Sequence, residues 1–203
     1  MKDFLKYKAY IFDLDNTLYD ENDYLLIAYK SIAHEVNSLY GTGYLVVAHF
    51  LYNTFIDEGR KHLFDKMISR FELPREAMNI CLHHLRKVEA KEQILLKENM
   101  ELLLKKLLND KKKVFVLTNG NIQQQKNKVA CIRWKGMKDQ ISFYYAAQYK
   151  PKPSADAVYK ILDDGGFEPH EVLMIGDDEV DAAAAAAAGV DFLHVSVLDT
   201  GSN

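Results

Sequence analysis

Two aspartates one residue apart close the first apolar run of the chain, in Phe12-Asp13-Leu14-Asp15-Asn16-Thr17-Leu18. Alternation along a strand would point both carboxylates to one side. At an effective dielectric of about 20, two such charges about 4 Å apart repel by about 4 kcal/mol, so the pair calls for a cation or a shared proton. Three later apolar runs also end on polar groups, at Thr118-Asn119, Lys150 and Gly176-Asp177. The net charge is only -3, which gives no global attraction for nucleic acid or an anionic membrane, so an anionic substrate must be held by a local set of donors. A hydroxyl, an amide, an ammonium and paired acids are such a set, with the acids able to take a cation or move a proton.

These groups need a scaffold that brings four chain segments to one edge. The runs Ala9 to Leu14, Val114 to Thr118, Ile141 to Ala147, Val172 to Ile175 and Phe192 to Val197 are rich in β-branched and aromatic residues and read as buried strands. Helical patterns separate them: Met100, Leu103, Leu104 and Leu107, then Ile122 to Ile132, Ser154 to Leu162 and Asp181 to Ala188. That alternation predicts a parallel sheet covered on both faces. In open parallel sheets, ligands collect outside the carboxyl ends of the strands, where all four polar clusters fall.

Between Leu18 and about Lys97 the alternation stops. Leu25, Tyr29, Ile32, Val36 and Leu39 step by three and four, as do Ala77, Cys81, Leu85 and Val88. A helical module of about four helices is expected there, punctuated by Gly41, Gly43, Gly59 and Pro74. Two linker strands at its ends would let it act as a lid. The expected division is therefore a core of residues 1–18 and 97–203 and a helical cap of residues 19–96.

The chain has 203 residues, 48% of them hydrophobic and 27% charged, enough for one sizeable core with a smaller module beside it. Cys81 and Cys131 are far apart and lack metal-site spacing, which argues against a disulfide scaffold or zinc site and for the reducing cytosol. No run approaches the roughly 18 apolar residues of a membrane span, and the run at Ala9 to Leu14 reads as a strand, not a signal peptide. No exposed heptad seam or self-complementary strand stands out, which leaves the oligomeric state open.

The motifs Asp13-Leu-Asp15-Asn-Thr17, Thr118-Asn-Gly120, Lys150-Pro-Lys-Pro153 and Gly176-Asp-Asp-Glu-Val-Asp181 resemble the four ordered motifs of the haloacid dehalogenase (HAD) superfamily of phosphatases and phosphotransferases. Their order, their placement at strand ends and a helical cap after the first motif all agree, over nearly the whole chain. The resemblance implies an α/β fold, a Rossmann-like three-layer parallel sheet core with an inserted α-helical cap. It implies that Asp13 attacks phosphorus and forms an aspartyl-phosphate. Asp15 would protonate the leaving oxygen and then deprotonate the attacking water, assistance worth about 10²- to 10⁴-fold. Thr118, Asn119 and Lys150 would bind the transferring phosphoryl group, helped by the helix that starts near Asn121. Asn121 and Gln124 fit a variant of the capping box.

Magnesium prefers hard oxygen ligands and keeps several waters. Asp13, the carbonyl of Asp15 and Asp177 are the expected direct ligands, with Asp181 acting behind them or through water. Lys152 is an alternative phosphate contact to Lys150. Lys150 is preferred because the family pattern sets the active lysine directly before Pro-x-Pro. Asp177, Asp178 and Asp181 could instead serve only as acids at a helix N-terminus. The seven alanines Ala182 to Ala188, His62, His83, His84, Trp134, Tyr144, Tyr145, Arg60 and Lys61 read as packing or surface residues. The expected activity is a magnesium-dependent phosphatase for a small phosphorylated metabolite, with no nucleic acid or membrane partner. A phosphomutase, or a non-catalytic phosphate-binding protein on the same scaffold, is the alternative. Asp15 argues against halide as the leaving group, because halide departs unprotonated.

Overall fold

The computed structural model describes residues 4–89 and 94–198. Residues 1–3 and 199–203, within the expected core, and residues 90–93, within the expected cap, lie outside the described residues. Strand β1 (Ala9–Phe12) is followed by four helices, α1 (Glu21–Tyr40), α2 (Tyr44–Glu58), α3 (Leu63–Arg70) and α4 (Ala77–Arg86). Then come α5 (Glu98–Asn109), β2 (Lys113–Thr118), α6 (Ile122–Cys131), β3 (Ile141–Tyr145), α7 (Asp156–Gly165), β4 (Val172–Gly176), α8 (Glu179–Ala188) and β5 (Asp191–His194).

The five strands form one sheet in the order β3-β2-β1-β4-β5, every pair parallel. β1 lies at its centre, with Phe12 in register with Val116 on one side and Ile175 on the other. Its four residues, Ala-Tyr-Ile-Phe, are all buried, as expected of a strand covered on both faces. On one face Ala9, Ile11, Phe115, Leu117 and Met174 pack against Val158, Ile161 and Leu162 of α7 and Ala184, Ala185 and Ala188 of α8. The alanine run is thus a packing device: with no branched side chains, α8 can lie close on the sheet.

Strand ends differ from expectation where polar residues begin. β1 stops at Phe12, not Leu14, although the Asp13 N–H still donates to Ile175 O at 2.9 Å. Asn16 then adopts φ +56°, a left-handed conformation that asparagine tolerates. β3 and β5 give way to short 3₁₀ turns at Ala146–Gln148 and Val195–Val197.

The chain divides into two compact units. One holds the sheet and comprises residues 1–21, 94–125 and 132–203; the other is helical and comprises residues 22–93 and 126–131. In the helical unit Tyr29 meets Phe55 and Phe64 edge-on, at 5.6 and 6.3 Å between ring centroids, and Phe50 meets Phe71 at 5.5 Å. The last part of α6 is stitched to this unit. Asn127 accepts from the Tyr24 hydroxyl at 2.9 Å and donates to Val88 O at 2.9 Å. In the sheet unit the segments flanking the excursion run side by side, with Lys97 N donating to Leu18 O at 2.9 Å. The expected linker strands reduce there to isolated bridges, Asp15 with Tyr19 and Ile94 with Ile132.

Candidate active site

The C-terminal ends of β1, β2 and β4 lie side by side, which carries their following loops to one edge of the sheet. Asp13 leaves β1 there and is 7% exposed. Facing it is a buried ammonium. Lys152 Nζ donates to Asp13 Oδ1 at 2.5 Å, to Asp181 Oδ1 at 2.5 Å and to Leu117 O at 3.2 Å. Burial pulls the Lys152 pKa down, but Asp13 and Asp181 more than offset this and hold it charged. Asn119 fixes the lysine from behind, donating to Lys152 O and accepting from Lys152 N, each at 2.9 Å. This reciprocal pair ties the end of β2 to the loop after β3.

Asp181 reaches Lys152 from the first turn of α8. Gly176 makes the approach possible, since a Cβ there would overlap the Asp181 carboxylate. Asp178 is the N-cap of α8, accepting from Val180 N at 3.4 Å, and the Asp181 carboxylate accepts from Asp178 N at 3.4 Å. Asp178 therefore does the work of a helix cap.

Asp13, Asp177 and Asp181 each offer a carboxylate oxygen, and the three atoms lie within 4.8 Å of one another. Three acids gather around one lysine, so the cluster carries excess negative charge. Burial, only partly countered by Lys152, together with Asp181 and Asp15, raises the Asp13 pKa to about 7. Asp177 is also pushed up, mainly by burial and despite the hydroxyl of Thr17, which donates to its Oδ1 at 3.1 Å. Lys152 takes Oδ1 of Asp13 and Thr17 takes Oδ1 of Asp177. Hard oxygens with excess negative charge fit a small divalent cation such as magnesium. Asp181 is engaged by both Lys152 and Asp178 N, which suits a supporting role better than direct ligation.

Asp15 sits in its own hydrogen-bond clamp. The Tyr19 hydroxyl donates to Oδ1 at 2.5 Å and Gln125 Nε2 donates to Oδ2 at 3.0 Å. The same Gln125 nitrogen reaches Thr118 Oγ1 at 2.5 Å and Asn119 O at 2.7 Å. One buried glutamine at the start of α6 thus joins the first and second motifs. Gly120, at φ +119°, supplies the turn from β2 into that helix, a conformation open to glycine. Asn121 accepts from Gln124 N at 3.2 Å and caps the helix.

The sequence matches the haloacid dehalogenase-like hydrolases over residues 10–195. The chain belongs to this family. No curated protein matches it. Among solved structures, a HAD-superfamily hydrolase of subfamily IA, variant 1, from Geobacter sulfurreducens PCA superposes with a TM-score of 0.66 at 22% identity, covering 92% of this chain and 86% of that one. A Thermotoga maritima protein provisionally assigned as a beta-phosphoglucomutase gives 0.68 at 16% identity, covering 90% and 82%. The Bacillus subtilis protein YfnB, provisionally assigned as a HAD-hydrolase and solved with bound magnesium, gives 0.65 at 16% identity, covering 92% and 87%. These likenesses are likenesses of fold, and they agree with the Rossmann-like α/β core.

In this HAD-like hydrolase Asp13, Asp15, Thr118, Asn119, Asp177 and Asp181 come together at the strand ends. Lys150 does not. Its ammonium is out in solvent, paired with Asp156 at 3.2 Å with its side chain 73% exposed, while the Lys152 side chain is 2% exposed beside Asp13. Lys150, expected to bind the phosphoryl group, stands apart from the cluster, and the alternative, Lys152, lies beside Asp13: the chain turns after Pro151 and the second lysine points inward. Sequence reasoning assigned no role to Thr17, Tyr19 or Gln125. Their signal was spacing alone, four and six residues after Asp13 and seven after Thr118. His194, whose Nε2 lies 3.0 Å from Asp177 O, had no signal. His62 is exposed and pairs with Asp65 at 3.5 Å, and His83 and His84 pack edge-on. Trp134 packs on Phe143 at 5.2 Å.

Proposed function

We propose that this HAD-like hydrolase is a magnesium-dependent phosphatase that acts on a small phosphorylated metabolite through an aspartyl-phosphate on Asp13. The observation that carries this is Asp15, a second carboxylate two residues beyond Asp13, held at both oxygens by Tyr19 and Gln125. Phosphoryl transfer needs a positioned acid for the leaving oxygen, whereas halide displacement does not.

Asp13 attacks phosphorus with its unpaired oxygen as the ester bond to the leaving oxygen breaks, and Asp15 delivers a proton to that oxygen. Asp15, now a carboxylate, takes a proton from water as the water attacks phosphorus, which breaks the acyl-phosphate bond and returns Asp13. Lys152 stays charged throughout and faces the developing negative charge on the phosphoryl oxygens, with Thr118 Oγ1 and the amides that follow β2 beside it. Bound between Asp13 and Asp177, magnesium would neutralise phosphate charge and remove the electrostatic cost of the facing acids. The buried, unpaired Cys81 and Cys131 fit a cytosolic setting. Among the described residues no helix is long and apolar enough to cross a membrane.

The test is phosphate release from a panel of phosphorylated metabolites with and without magnesium, for wild type and Asp13→Asn. Magnesium-dependent release that vanishes in the variant is expected. Equal turnover by the variant would remove Asp13 as nucleophile. Turnover seen only with a bisphosphate activator would make the protein a mutase.

A further inference from the structure

Helix α2 carries large apolar residues on two opposite sides. Its inward side contributes Val47 and Leu51 to the helical unit, both fully buried. Its opposite side carries Leu45, His49, Tyr52 and Ile56, spaced four, three and four residues apart, and all exposed. At 100° per residue these four fall within about 60° of one another, a narrow stripe of the kind that packs helix against helix. Leu45 is 74% exposed, Tyr52 45% and Ile56 59%. Leu39, Tyr40 and Val46, close in sequence to the N-terminal end of the stripe, are exposed as well.

The stripe is complementary to itself. Turned about a two-fold axis between Phe50 and Leu51, each residue meets the one that makes their numbers sum to 101. Leu45 then faces Ile56 and His49 faces Tyr52. The charges obey the same rotation. Asp57 lies in the last turn of α2, where an acid opposes the helix's own dipole, and no basic residue accompanies it. The first turn has no acid and its Gly43 N-cap makes no side-chain cap. Antiparallel pairing sets Asp57 against the uncapped, positive N-terminal end of the second helix.

We infer that α2 is the contact surface of a homodimer, in which two copies of the helix lie antiparallel with Leu45 packed on the second copy's Ile56 and His49 on its Tyr52. The stripe rises about 16 Å along the helix. That length alone falls short of the roughly 800 Å² per partner of a standard interface, so the expected dimer is a weak one, of about micromolar affinity. This contact belongs to the helical unit and does not depend on which reaction the sheet unit performs.

Sedimentation velocity of the full chain between about 1 and about 100 µM is expected to show a concentration-dependent dimer. Ile56→Glu and Leu45→Glu should each weaken it by at least about 100-fold, with an unchanged circular dichroism spectrum because both sites are exposed. Asp57→Lys should weaken it several-fold through the helix ends. A short bismaleimide should cross-link an equimolar mixture of Leu45→Cys and Ile56→Cys but neither variant alone, since Cys81 and Cys131 are buried. A chain that is monomeric at every concentration, or a dimer that survives both glutamate substitutions, would overturn the inference.

Discussion

Lys150 and Lys152 each precede a proline, and the local pattern is the same for both. What separates them is what lies behind the chain: Asn119 grips the backbone of Lys152 from another strand, and no reading along one segment contains that fact. The aspartates, Thr118 and Asn119 were legible because strand ends announce themselves as apolar runs meeting polar residues. Lys152→Ala leaves Asp13 and Asp181 buried without their counter-charge, at a cost of about 3–5 kcal/mol. Turnover should fall by about 10²-fold or more. Lys150→Ala should leave kcat within about threefold and stability within about 0.5 kcal/mol. Steady-state kinetics and thermal melts of the two variants check this directly.

The Asp13 carboxyl gives a signed pH dependence. Its pKa in the folded protein, about 7, lies above its ordinary value of 3.8, so between those values the folded state binds the proton more tightly than the unfolded one. Stability contributed by this group is therefore present at the acid end and lost as pH rises toward 7. Metal-free protein should melt at progressively lower temperature from about pH 5 to about pH 7 relative to Asp13→Asn. Added magnesium, which favours the carboxylate, should recover most at the neutral end. Differential scanning calorimetry over that range would show a flat difference between the two proteins if Asp13 were not shifted.

At the scale of elements, α8 shows why a helix of alanines belongs here. Its N-terminal turn supplies Asp178 as cap and Asp181 as partner to Lys152, while its alanines let the whole element sit close to β4 and β5. Gly176 sets how close that can be. Gly176→Ala should push Asp181 away from Lys152, costing about 1–3 kcal/mol of stability and lowering magnesium affinity; isothermal titration with magnesium reads the second effect. The order of helices and strands was legible from periodicity. The double use of α6, whose first residues hold Asp15 while residues 126–131 pack in the helical unit, was not. Its apolar spacing records only that it is buried, not by what. α2 escaped for a related reason: when a helix carries large apolar residues on two opposite sides, its spacing does not tell which side is exposed.

At the scale of the whole molecule, β1 is the first of the sheet's five strands to be synthesised and the middle one in space. Its neighbours begin at Lys113 and Val172, so the aspartate loop is bounded on both sides only after most of the chain exists. Such distant pairings are slow to form, because a long loop must close before any contact repays it. Residues 22–89, whose contacts are mostly between successive helices, carry no such delay. A ribosome-bound chain stopped before Val172 would thus hold a helical unit able to form, beside a central strand with one edge open. The strand that carries Asp13 is exposed to wrong pairing for longer than any other, which makes its fully apolar sequence, Ala-Tyr-Ile-Phe, the place where aggregation during synthesis would begin.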